Sequence, residues 1–287
     1  MQLIIGSAQL GMKYGINQKK IPLSHLNKIY AKCKKNRINL IDTAQNYGES
    51  EKLIGKSKLN RLKIITKIKI PKKISNKKLT NFLENYFEKT KLKLNVKQIH
   101  AILIHDISVL NIKNKDQILE YFHELKKKKL IKYFGVSVYS PKDVLNLLKF
   151  FKPDIIQLPL NIIDHRFLDN DFLRKLKKKN ILLASRSSFL QGFLIQEMNN
   201  AYNFKLKKFY PVVKKIEEWC IKKKISRLDA CIHFIKKVKM IDYMIIGFDR
   251  VSHLNKIIKS FKKKQIKIPN RFRIDNNNLI DPRKWKL

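Results

Sequence analysis

The chain has 287 residues, 44% of them hydrophobic, with only 8 Gly and 8 Pro, a composition that excludes wholesale disorder and provides for one large core. Its 64 Lys and Arg against 22 Asp and Glu give a net charge of +42, which raises nucleic acid, anionic surfaces and acidic small molecules as partners. Only ten of the 64 are Arg and the rest are Lys scattered through every helical stretch, so the charge reads as a solvated surface, and no specific nucleic-acid partner is expected.

Short β-rich runs alternate with amphipathic helical runs from end to end. Strands are expected at 3–5, 39–42, 63–66, 100–104, 133–136, 155–158, 181–184 and 243–246. Helices are expected at 23–36, 50–55, 76–92, 116–129, 141–151, 170–179, 210–224, 226–238 and 251–262, with Ser24, Ser140 and Ser226 as their caps. Continuous apolar runs this short suit strands buried on both faces, as in a parallel sheet under helices. Eight strand–helix repeats favour an α/β fold closed as a single-domain (β/α)8 TIM barrel over 1–287, with 263–287 as a C-terminal tail. A doubly wound open sheet is the alternative. Against it, the segment after the first strand, GSAQLGMKYG, lacks the spacing of a dinucleotide-binding glycine fingerprint. The stretch 187–207 is long and irregular, as functional loops are.

Cys33, Cys220 and Cys231 have no CxxC spacing and read as small buried hydrophobes in a reducing compartment. No apolar run reaches the length of a membrane span, and the N-terminus lacks the pattern of a signal peptide, so a cytoplasmic location is expected. No His, Cys or Asp cluster has metal-ligand spacing, so no metal is expected.

The second strand runs into IDTAQNYGESE, with Asp42 at its end and Tyr47 in the following loop; the third ends near Lys67 and the fourth at His105. Neighbouring strands lie about 4.8 Å apart, so these side chains share the C-terminal mouth of a barrel. Reducing a carbonyl requires a hydride on carbon and a proton on oxygen. Tyr47 is the proton donor, and the Lys67 ammonium, held by Asp42, would make its phenol more acidic. His105 is suited to orienting the carbonyl. No side chain provides a hydride, so a cofactor is required.

The string IDTAQNYGESEKLIGK, followed by ITKI and LIHD, resembles the signature of the aldo/keto reductase family, and the likeness continues through KYFGVSVYSP, IIQLPLNIIDHRF, SRSSFLQGFL and IIGFDRVSHL. The resemblance implies a (β/α)8 barrel that binds NADPH, less often NADH, across its mouth and reduces an aldehyde, ketone or sugar-like carbonyl. It implies Asp42, Tyr47, Lys67 and His105 as the catalytic set. By the same likeness Ser137 and Gln157 hold the nicotinamide carboxamide, and Gln9, at the end of the first strand, lines that pocket. Arg186 stands where many members stack a Tyr on the nicotinamide, and Val138 where many have an Asn. Ser187 belongs to the loop over the pyrophosphate, and Gly247 and Arg250 to the segment receiving the adenosine end. Tyr14, Phe189 and Trp285 either shape a substrate pocket or simply pack. Two other readings are a cofactor-binding barrel with a regulatory or interaction role, and a basic binder of nucleic acid or anionic surfaces.

Overall fold

The computed structural model describes residues 1–111, 114–196, 207 and 210–285. Its strands are β1 (Gln2–Gly6), β2 (Leu40–Asp42), β3 (Lys63–Ile68), β4 (Ile99–Ile104), β5 (Ile131–Ser137), β6 (Ile155–Pro159), β7 (Leu182–Arg186) and β8 (Tyr243–Ile246). All neighbours pair in parallel, and β1 closes on β8 through Gln2↔Tyr243 to Ile5↔Ile246. The chain is therefore a (β/α)8 barrel, as the alternation of apolar runs requires.

The helices are α1 (Ala8–Gly11), α2 (Leu26–Lys35), α3 (Ser50–Gly55), α4 (Asn76–Leu94), α5 (Lys115–Lys127), α6 (Pro141–Leu147), α7 (Asn170–Lys178), α8 (Tyr210–Lys222), α9 (Arg227–Lys236), α10 (Val251–Lys262) and α11 (Asn277–Ile280). Ser140 caps α6 in a reciprocal capping box with Asp143, and Ser226 does the same for α9 with Asp229. Ser24 does not cap. Pro22 starts a 3-10 turn over Leu23–His25, and α2 begins after it without a side-chain cap. The loop after β7 is described through Gln196, and 197–206 of the expected irregular stretch lie outside the described residues.

Two apolar clusters divide the core. A small one fills the barrel lumen: Ile4, Leu40, Ile65, Ala101, Leu103, Ile155, Ala184 and Ile245. A much larger one lies between strands and helices. Strand side chains alternate between these two environments, so the residue two places beyond a lumen residue also faces inward, one layer higher. Counting on from Leu40, Ile65, Leu103, Ile155, Ala184 and Ile245 gives Asp42, Lys67, His105, Gln157, Arg186 and Gly247. From Tyr133, packed on the lumen cluster, the count reaches Gly135 and Ser137. The top layer of the lumen is thus the polar one.

Candidate active site

Lys67 lies inside β3, which runs one residue further, to Ile68, and its side chain is only 2% exposed. Its three protons have three acceptors: Asp42 Oδ2 at 2.6 Å, the Thr43 carbonyl at 2.9 Å and Tyr47 Oη at 3.4 Å. The second oxygen of Asp42 accepts from Gln157 Nε2 at 2.5 Å. Burial lowers the Lys67 pKa and the adjoining Asp42 carboxylate opposes that shift; three acceptors around Nζ, one of them a carboxylate, are the setting a buried ammonium requires.

Tyr47 is held by its loop. The Thr43 hydroxyl lies 3.1 Å from Ser50 Oγ, which in turn lies 2.7 Å from Ser7 Oγ at the end of β1. An added Cβ at Gly11 would fall 1.8 Å from the Tyr47 carbonyl, so only glycine lets α1 pack this closely on the loop. The ring stands edge-on to His105, centroids 6.4 Å apart, with Lys67 Nζ 5.0 Å from the ring centre. Since Tyr47 Oη accepts from an ammonium, its own proton is left to point away from Lys67.

Burial pushes the Tyr47 phenol well up, the Asp42 carboxylate adds to the rise, and Arg186 opposes it. This corrects the expectation that Lys67 makes the resting phenol more acidic: Asp42 offsets the ammonium charge, and desolvation dominates. At neutral pH the phenol keeps its proton, as a donor must.

Burial pushes the His105 imidazole down to about 4, assisted by the charges of Lys67, Arg186 and Lys69. His105 is therefore neutral across the physiological range. An unfolded histidine binds its proton near pH 6.5, so the folded chain is penalised as pH falls from that value through about 4. His100, at the opposite end of β4, is depressed to about 4 by burial as well. Thermal melts from pH 7.5 to 4.5 should show stability falling with pH, and His105→Asn should shallow that slope, as should His100→Asn independently. Equal slopes in wild type and both variants would contradict the assignment.

Of the remaining expected residues, Gln157 joins this centre directly through Asp42, and the others lie along the same mouth or beyond it. Ser137 and Gln157 are register partners on β5 and β6. Ser137 Oγ and Gln157 Oε1 are both buried with no hydrogen-bond partner among the described residues, a hydroxyl and an acceptor that fit the C=O and NH2 of a carboxamide. The resemblance did not reveal that the amide nitrogen of Gln157 is committed to Asp42. Gln9 is not at a strand end: β1 stops at Gly6, and Gln9 lies in α1, donating to the Tyr14 carbonyl. It still reaches the mouth, since an added Cβ at Gly247 would lie 3.9 Å from its Oε1.

Arg186 lays its guanidinium on the Tyr139 ring, 4.1 Å from the centroid, and donates to the Val138 carbonyl at 2.9 Å and Ser187 Oγ at 3.3 Å. Ser187, Leu190 and Gln191 have φ of 60°, 46° and 58°, a run of left-handed residues of the kind stored at binding loops. The Gln191 carbonyl accepts from Ile16 N at 3.1 Å, joining this loop to the one after β1. Arg250 is exposed and donates to Asp249 at 3.2 Å, while His253 Nδ1 lies 2.6 Å from the same carboxylate oxygen.

Tyr14 is half-buried beside the site, its phenol raised to about 12 by burial, with the Tyr47 phenol next in influence. Phe189 belongs to the core, and Trp285 donates to the Leu279 carbonyl and packs on Phe193, anchoring the tail. Arg283, which no motif marks as a site residue, comes from that tail to within 3.2 Å of the Tyr139 ring centre.

A sequence profile of the aldo/keto reductase family matches residues 2–275, and the chain belongs to that family. It is an oxidoreductase that uses a nicotinamide dinucleotide and acts on a carbonyl of a small molecule. Among solved structures it is similar to the holo form of an aldo-keto reductase from Bacillus halodurans, at 16% identity and a TM-score of 0.72, over 93% of this chain and 88% of that one. It is similar too to a glycerol dehydrogenase from Gluconobacter oxydans, at 19% identity and a TM-score of 0.70, over 92% and 87%. At such identities these likenesses speak for the fold. No curated protein matches the sequence significantly. Among the described residues no helix is long and apolar enough to cross a membrane, and no group of three or more potential metal ligands comes together.

Proposed function

We propose that the chain reduces an aldehyde or ketone with NADPH, NADH being accepted more weakly, and that Tyr47 donates the proton while Lys67, Asp42 and His105 organise it. The observation that carries this reading is the Tyr47 hydroxyl within reach of a buried ammonium whose other two protons are already engaged. A bound reduced nicotinamide supplies the hydride. Ser137 and Gln157 would hold its carboxamide through their unpartnered atoms, and Gln9 and Gly247 would border the same space. Ser187 and its loop would cover the pyrophosphate, Arg186 would flank the nicotinamide, and Arg250, with His253 nearby, would meet the adenosine end.

The protein's own part is orientation and proton transfer. His105, neutral, donates a hydrogen bond to the substrate oxygen and sets it beside Tyr47 Oη. Negative charge growing on that oxygen makes it a stronger base than phenolate, so the proton moves from Tyr47 even though its resting pKa is high. Lys67 then faces a phenolate instead of a phenol, an interaction stronger after transfer than before, which is what lowers a barrier. Asp42 prevents Lys67 from losing its charge to burial. The three cysteines are unpaired and buried, which supports a reducing, cytoplasmic setting, and the diffuse Lys surplus supports a partner that is not a specific nucleic acid.

Calorimetric titration of chelator-treated protein with NADPH and NADH, followed by a screen of aldehydes and sugar-like carbonyls, tests this. Binding of NADPH without added metal and oxidation of it by at least one carbonyl are expected. No heat with either dinucleotide would sink the proposal.

A further inference from the structure

Arg186 has more to do than flank a cofactor. It is the inward-facing residue at the top of β7, and its guanidinium crosses to the segment after β5; among the described residues its partners are neutral, Val138 O and the Tyr139 ring there and Ser187 Oγ next to it in sequence. Its Nε–H is buried and has no acceptor among the described residues. The other arginines of this rim are neutralised. Arg166 forks onto Asp164 at 2.9 and 2.7 Å, Arg283 onto Asp281 at 3.0 and 2.6 Å, and Arg250 pairs with Asp249. Lys67 is matched by Asp42, and Lys69 is exposed to solvent, which screens it. Arg186 stands in the same inward-facing top layer as Asp42, Lys67 and Gln157, so it borders the mouth where a carbonyl would sit, and its charge opposes the rise of the Tyr47 phenol and adds to the fall of the His105 imidazole.

A half-buried guanidinium without a counter-charge is costly to keep unless a ligand supplies one. We propose that Arg186 anchors a carboxylate carried by the substrate, so that the carbonyl compound reduced here is an oxo acid, an aldehyde or ketone bearing a carboxylate away from the reacting carbon. A single uncompensated guanidinium matches one negative charge, and its remaining N–H groups match a carboxylate edge. Tyr14 and Tyr139 add phenolic groups to the same wall, in keeping with a polar substrate. The inference rests on the reductase reading above.

The test compares 4-oxobutanoate with its methyl ester, and glyceraldehyde 3-phosphate with glyceraldehyde, in wild type, Arg186→Met and Arg186→Lys. A hydrogen-bonded charge is worth about 10- to 100-fold. Wild type should favour the acid over its ester by that factor in kcat/KM, mainly through KM. Arg186→Met should abolish most of the preference, and Arg186→Lys should restore part of it. Calorimetry of the NADPH-loaded protein with succinate and dimethyl succinate reads the anchor without turnover: succinate should bind more tightly, and Arg186→Met should remove the difference. Equal handling of acid and ester, or a preference surviving in Arg186→Met, would overturn the anchor. So would a stronger preference for the phosphorylated aldehyde. A loss of NADPH affinity in Arg186→Met with the acid preference intact would reassign the guanidinium to the cofactor. Succinate discrimination without reduction of any carbonyl would keep the anchor and refute the reductase reading instead.

Discussion

Tyr47→Phe is expected to lower turnover of any accepted carbonyl by about 10²–10⁴-fold, the range that general acid catalysis contributes. The substitution removes one oxygen whose protein partner is Lys67 Nζ at 3.4 Å, the longest of the three bonds that the ammonium makes. The ring keeps its packing against His105 and over Lys67, so the melting temperature and NADPH affinity should stay near those of wild type. Single-turnover rates at saturating NADPH, measured beside thermal melts, separate chemistry from scaffold. Near-full activity with the cofactor bound would show that the proton comes from elsewhere.

Lys67→Met produces the largest expected loss of stability. The variant leaves Asp42, 5% exposed, with the Gln157 amide as its remaining side-chain partner. Breaking a buried pair from one side costs about 3–5 kcal/mol, because an uncompensated charge stays behind. Denaturant melts should show that drop, and activity should fall with it. Adding Asp42→Asn removes the stranded charge and should recover much of the stability but none of the turnover. A single variant as stable as wild type would show that the ion-pair account is wrong.

What could be read from the sequence follows from the local nature of the signal. The eight strands announce themselves because each buries both faces, and β8 and α10 fall at the expected bounds. Asp42, Lys67 and His105 were legible because strand parity and strand order together fix which side chains meet at the mouth. Long-range partnerships were not legible. The bond between Gln157 and Asp42 spans 115 residues, and the approach of Arg283 to Tyr139 brings a distant tail back to β5. Neither leaves a periodic trace. Gln9 was misplaced because α1 is a single turn with no capping side chain, set by tertiary packing at Gly11. The direction of the Tyr47 shift was missed because it depends on desolvation, which a list of neighbouring charges does not contain.

The contact between Gln157 and Asp42 also bears on how the molecule comes together. β2 and β6 stand on opposite sides of an eight-stranded ring, so this one bond is a tie rod across the lumen. The first four strands, with their connecting segments, carry Asp42, Tyr47, Lys67 and His105, and the last four carry Ser137, Gln157, Arg186 and, just past β8, Gly247. A chain that has made only the first half contains Asp42, Tyr47, Lys67 and His105 but lacks the Gln157 amide that Asp42 Oδ1 accepts from. The four residues proposed to handle the proton thus come from the first half of the barrel, and a single amide from the second half completes the hydrogen bonding of Asp42.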